Sequence, residues 1–244
     1  MKFSIITICY NAATTIERTL RSVTSQSWAD RQYIIIDGAS KDTTLDIISR
    51  YRDKIDILVS ERDCGLYDAM NKGLKLADGD YVLFMNAGDR FHENTTLEQI
   101  AAQVSGMDPL PGVIYGNTAL THMDGEIYGM RRLSPPEHLT WKSFKNGMLV
   151  CHQAFYARRD LAEPYDLTYR FSADVDWCIR VMKKADKLHN THLIVADYLE
   201  DGSGVTIDNR KASLKERFAI MRKYYGLPST LLHHAWFAVR LLFK

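Results

Sequence analysis

The chain is short of several features that would have placed it at once. Nowhere in its 244 residues do 18 apolar residues run together, so no transmembrane helix is expected. Its net charge of +1 shows no excess of either sign. That argues against bulk binding to nucleic acid and means that any anion site must be built locally. The four cysteines, Cys9, Cys64, Cys151 and Cys178, are far apart, with no CxxC and no Cys/His zinc spacing. Scattered thiols of this kind point to a reducing, cytoplasmic setting. Without GxGxxG or GxxxxGK[ST], a dehydrogenase or a P-loop nucleotide hydrolase is disfavoured. Without GxSxG, acyl hydrolysis has little support. The opening Met1-Lys2-Phe3-Ser4-Ile5-Ile6 resembles a short signal start, but its apolar run breaks at Tyr10-Asn11 with no small-residue cleavage site. It reads as a strand.

What is present is an alternation of strand and helix. Strand-like runs at 2–9, 32–36, 55–59 and 80–85 alternate with helical spacing at 12–27, 43–51 and 66–77. Asn11 is a plausible N-cap for the first helix, and Ser40 or Asp42 for the second. This order predicts an α/β fold, a mostly parallel sheet with helices on both faces. Further on, 94–104 reads as a helix, 113–115 as a short strand, and 117–133 as a hairpin turning at Asp124-Gly125. Helices are expected over 171–184 and 211–225, the latter stopped at Gly226-Leu227-Pro228. Residues 1–208 read as the α/β domain and 209–244 as a helical appendage.

The stretch from Tyr81 to Asp89 is the centre of the pattern. An uncharged strand ends abruptly at Asn86-Ala87-Gly88-Asp89. Ligands of open α/β sheets bind beyond the carboxyl ends of the strands. A carboxylate there is a natural seat for a divalent cation carrying a diphosphate, although an aspartate that only caps a turn has the same pattern. Other strand ends carry Tyr10-Asn11, Asp37-Gly38 and Glu61-Arg62-Asp63, and all would open on one crevice.

Taken together, these segments resemble the family 2 glycosyltransferases, inverting enzymes with the GT-A fold. Cys9-Tyr10-Asn11 is similar to the family's opening turn, and Asp37-Gly38-Ala39-Ser40-Lys41-Asp42 to its Asp-Gly-x-Ser-x-Asp segment. Asp63 to Gly73 resembles a subgroup segment ending Asn71-Lys72-Gly73, and Gly79-Asp80-Tyr81 leads to a DXD-like end at Asp89. The resemblance implies that Asp37 recognises the nucleotide base, with Tyr10, Asn11, Asp63, Asn71 and Asn86 around the donor. It implies that Asp89 holds Mg²⁺ or Mn²⁺, a Lewis acid for the leaving diphosphate. The pattern departs from a plain DXD: Asn86 replaces the first carboxylate and one extra residue intervenes.

Asp174 and Asp176 resemble the family's acidic motif ahead of a helix, with Ala173 where a glutamate often stands. The resemblance makes Asp174 the general base and leaves Asp176 as the alternative. Both would also suit the N-terminus of a helix with no catalytic role. His152 and Gln153 are candidates for contacts to the donor or acceptor sugar, and Gly202 to Thr206 for a lid over the diphosphate.

The expected activity is sugar transfer from a nucleotide sugar, UDP-linked by preference, to a glycan or lipid-linked oligosaccharide in surface polysaccharide assembly. A nucleotide-sugar pyrophosphorylase-like enzyme and a silent sugar-nucleotide-binding subunit are the alternatives. The first would need a Gly-rich, basic phosphate loop where Thr7-Ile8-Cys9-Tyr10-Asn11 stands. Residues 231–244 form an amphipathic pattern too short to span a bilayer. Two readings stay open: a helix in the membrane interface, at the inner face of the plasma membrane, or one packed against protein.

Overall fold

The computed structural model describes residues 1–200 and 209–242, with side chains to 239. Nine strands form one sheet: β1 (Phe3–Cys9), β2 (Arg31–Asp37), β3 (Ile57–Ser60), β4 (Tyr81–Phe84), β5 (Arg90–Phe91), β6 (Val113–Thr121), β7 (Ile127–Met130), β8 (Phe155–Arg158) and β9 (Leu188–Leu199). The order is β3-β2-β1-β4-β8-β6-β9-β5, with β7 paired to β6. β3, β2, β1 and β4 are parallel, so their carboxyl ends share one edge. β8 then runs antiparallel to both β4 and β6, while β6 and β9 are parallel. Every residue of β1 and β4 is buried, which explains why both are uncharged and mostly apolar.

The helices are α1 (Ile16–Thr24), α2 (Thr44–Ser49), α3 (Leu66–Leu76), α4 (Thr96–Val104), α5 (Ala173–Lys184), α6 (Arg210–Tyr225) and α7 (Leu227–Leu242). α3 lies so close to the sheet that a Cβ on Gly73 would come within 2.4 Å of Ile6. On the same sheet face, Trp177 of α5 meets Phe84 edge-on at 6.0 Å.

Several expectations shift. α1 starts at Ile16, four residues later than its spacing implied, and Asn11 is no cap: its φ of 47° places it in a left-handed turn. β6 runs unbroken from Val113 through to the hairpin, whose turn does fall at Asp124-Gly125. β8 and β9 have no clear sequence signal. β8 is four residues long, and the apolar pattern of β9 is broken by His189, Asn190, Thr191 and His192, the last at φ 59°. α7 begins at Leu227, straight after the Gly226 stop, with Pro228 in its first turn.

Candidate active site

The ends of β1, β2 and β3 converge. Backbone N–H of Asn11 donates to Ser40 Oγ at 2.8 Å, and Asn11 Oδ1 accepts from Lys41 N at 2.9 Å. The first two loops are thereby locked together. A Cβ on Gly38 would meet Asp63 Oδ2 at 2.6 Å and the Tyr10 ring at 3.3 Å. Only glycine lets these two residues close over this point. Tyr10 is 60% exposed and Asp63 half-buried, so both can meet a ligand.

Asp37 lies beneath them with no exposed surface. Its carboxylate accepts from Ser40 N at 3.0 Å, from Ser60 Oγ at 2.7 Å, and from Ser40 Oγ. Both Asp37 carboxylate oxygens are engaged by neighbouring strand-end residues. A carboxylate sealed by its own strand-end neighbours organises the pocket floor. Its charge also helps burial push the Cys9 thiol far above its ordinary pKa, which keeps that cysteine inert.

The turn after β4 is held by one hydroxyl. Thr19 Oγ1, fully buried on α1, accepts from Gly88 N at 2.9 Å and lies 2.7 Å from Asp89 O as donor. Gly88 sits at φ +102°, and a Cβ there would strike Leu199 at 2.8 Å. The turn delivers Asp89, 4% exposed, whose carboxylate accepts from Leu199 N at 3.0 Å and from Gln153 Nε2. Among the described residues, Asn86 Oδ1 is buried without a hydrogen-bond partner. An unpartnered acceptor in the same turn as a buried carboxylate suits a hard cation. Among the described residues no three His, Cys, Asp or Glu side chains form a metal-holding group. Asp89 and Asn86 therefore fit Mg²⁺ or Mn²⁺ only if diphosphate and water complete the coordination.

Gln153 and His152 are neighbours in a single turn of 3-10 helix, His152–Ala154. Gln153 reaches Asp89. His152 faces the other way, stacked on Phe84 at 5.0 Å and sharing a 2.6 Å hydrogen bond with the Tyr165 hydroxyl. Burial lowers its pKa to about 4, with Asp174 opposing the shift, so the ring is neutral. Tyr165 stacks on Tyr67 at 5.4 Å, and the Tyr67 hydroxyl donates to Asp174 Oδ1 at 3.1 Å. One short segment thus links the two acids that the sequence placed 85 positions apart. Asp174 stands in the first turn of α5, half-buried. Among the described residues its second oxygen has no hydrogen-bond partner.

Asp176 is placed differently from Asp174. It has no exposed surface and accepts from Arg180 Nε at 2.7 Å, Lys223 Nζ at 2.9 Å and the Tyr224 hydroxyl at 2.8 Å. Burial alone would raise its pKa, but these donors hold it below the usual carboxylate range. It fastens α6 to α5. Asn71 is also committed elsewhere: Oδ1 accepts from Tyr165 N at 2.6 Å and Nδ2 donates to Tyr165 O at 3.1 Å. It positions the aromatic link.

Residues 4–164 match the description Glycosyl transferase family 2. The chain belongs to glycosyltransferase family 2. A PGL/p-HBAD biosynthesis glycosyltransferase of Mycobacterium bovis BCG is 34% identical over 210 residues, covering 82% of this chain and 77% of that protein. The putative teichuronic acid biosynthesis glycosyltransferase TuaG of Bacillus subtilis is 26% identical, covering 88% and 85%. The crystal structure of S. aureus TarS 1-349 with UDP superposes with a TM-score of 0.70 at 19% identity, covering 91% of this chain and 66% of that one. The mannosyltransferase PcManGT from Pyrobaculum calidifontis, with GDP-Man and Mn²⁺, gives 0.58 at 15%, covering 98% and 80%. At those identities the likeness shows the fold, which is GT-A, with helices appended at the C-terminus.

In this family 2 glycosyltransferase, sequence reasoning overlooked Thr19, Tyr67 and Tyr165. Thr19 and Tyr67 lie on helices, where they pass as ordinary core or face positions. Asp197 was missed with β9: fully buried, it pairs with Arg90 at 2.7 Å and His92 at 2.7 Å beside the Asp89 turn. The expected lid at 202–206 lies outside the described residues.

Proposed function

We propose that this glycosyltransferase inverts configuration, moving a sugar from a UDP-linked donor to a hydroxyl of a glycan or lipid-linked acceptor. The supporting observation is the link Asp89–Gln153–His152–Tyr165–Tyr67–Asp174, a chain of side-chain contacts that joins two carboxylates 85 positions apart. Tyr10 and Asp63 bind the nucleoside, on a floor shaped by Asp37 and Asn11. Asp63 accepts from the base N–H, and the exposed Tyr10 ring covers the base. Gln153, between the two acids, orients the sugar.

The acceptor hydroxyl attacks the anomeric carbon from the side opposite the diphosphate. As the new C–O bond forms and the C–O bond to phosphate breaks, Asp174 takes the hydroxyl proton. Tyr67 fixes one Asp174 oxygen, leaving the other for that proton. Asp89 and Asn86 would hold Mg²⁺ or Mn²⁺, which when bound supplies charge neutralisation for the departing diphosphate.

The test is UDP-sugar binding and turnover across a Mn²⁺ titration, for wild type and Asp89→Ala. Wild type should lose turnover in EDTA and regain it with Mn²⁺. Asp89→Ala should require far more Mn²⁺, with at least about a hundredfold lower kcat/KM, as expected for losing several kcal/mol of charge stabilisation. Metal-independent turnover, equal in both proteins, would refute the metal assignment.

A further inference from the structure

The last two helices carry a surface that the catalytic reading does not use. α7 packs inward through Thr230, His233 and His234, with His234 set edge-on to Phe218 of α6 at 5.0 Å. Its opposite face is open. Leu231, Leu232, Trp236 and Val239 are 52%, 70%, 56% and 41% exposed, one stripe along a helix surface. A soluble protein rarely leaves a contiguous apolar stripe of this kind uncovered.

Charge identifies what covers it. Residues 209–244 hold eight Lys and Arg against one Glu, a net +7, whereas residues 1–208 carry −6. Two copies of so basic a pair of helices repel each other, while an anionic surface attracts them. No helix among the described residues is long and apolar enough to cross a membrane. A helix of 16 residues, about 24 Å long, with Trp236 among its exposed apolar residues and the basic α6 preceding it, suits the interfacial plane.

We propose that α6 and α7 dock this protein on an anionic lipid bilayer, with the Leu231–Val239 stripe in the interface. The Asp176 clamp gives the docking a consequence. Lys223 and Tyr224 of α6 are bonded to the same α5 helix that begins with Asp174. A bilayer that holds α6 and α7 therefore sets the orientation of Asp174 toward its surface. The acceptor class that fits is a glycan whose lipid stays in the membrane. That last step rests on the glycosyltransferase reading, whereas the docking itself does not.

The experiment uses the full chain and vesicles of phosphatidylcholine, with and without phosphatidylglycerol. Wild type should float with the anionic vesicles only, release in high salt, and shift its tryptophan emission to the blue on binding. Leu232→Glu/Trp236→Glu should lose at least tenfold in vesicle binding, yet keep its unfolding temperature and its UDP-sugar hydrolysis in solution. Equal flotation of the double variant, or no flotation of wild type, would overturn the proposal. So would a wild-type dimer in solution that the double variant abolishes, since the stripe would then be a contact between copies. Because hydrolysis is read separately, loss of docking and loss of catalysis remain distinguishable.

Discussion

At the scale of single residues, the two acids of α5 show how far side-chain type alone can be read. Asp174 and Asp176 are two apart, so on a helix they point about 200° away from each other. Only one can face the crevice. Composition cannot say which, because the choice depends on Lys223 and Tyr224, which arrive nearly fifty residues later. Asp176→Asn should therefore act on stability. Weakening a buried, ion-paired carboxylate costs about 3 kcal/mol, or roughly 6–12 °C in melting temperature. Thermal unfolding checks this, and the folded fraction should turn over normally. Tyr67→Phe should lower kcat about tenfold with donor KM unchanged, because it removes one hydrogen bond to a charged group. Its pH–rate profile should move with it, which a purely structural loss would not cause.

At the scale of elements, the parallel half of the sheet was legible because burial on both faces writes long apolar runs. β9 was not, because its polar residues find partners only in the fold. Thr191 Oγ1 donates to Tyr115 O at 3.1 Å, and Asp197 takes Arg90 and His92. The turn after β4 was legible as a bend with a carboxylate, but its support from Thr19 on α1 was not. The aromatic segment around His152 carries a prediction of its own. His152 is held neutral, with a folded pKa of about 4 against 6.5 when exposed. Below pH 6.5 the unfolded chain takes up the proton first, so stability falls as pH drops from about 6.5 to about 4. The slope is at most about 1.4 kcal/mol per pH unit. His152→Phe keeps the ring stack but leaves the Tyr165 hydroxyl without its hydrogen-bond partner. It should begin less stable at pH 7 and show a shallower acid loss in chemical denaturation.

At the scale of the whole molecule, one short segment, 152–153, ties the turn that follows β4 to the helix that follows β8. Sequence order separates them, and the reversal of β8 against β4 brings them together. The GT-A architecture and the family were readable from ordered motifs. The burial and partners of each acid were not, since they depend on residues distant in the chain. Asp37 and Asp176 have no exposed surface, whereas Asp63 and Asp174 are half-buried. The most direct check is the transfer or hydrolysis rate of Asp174→Asn at saturating UDP-sugar and Mn²⁺, beside a donor-binding measurement on the same protein. The expected result is a kcat lowered about 10²- to 10⁴-fold with donor affinity and melting temperature unchanged. A variant that turns over at the wild-type rate would contradict the assignment of the base and the shared crevice built on it.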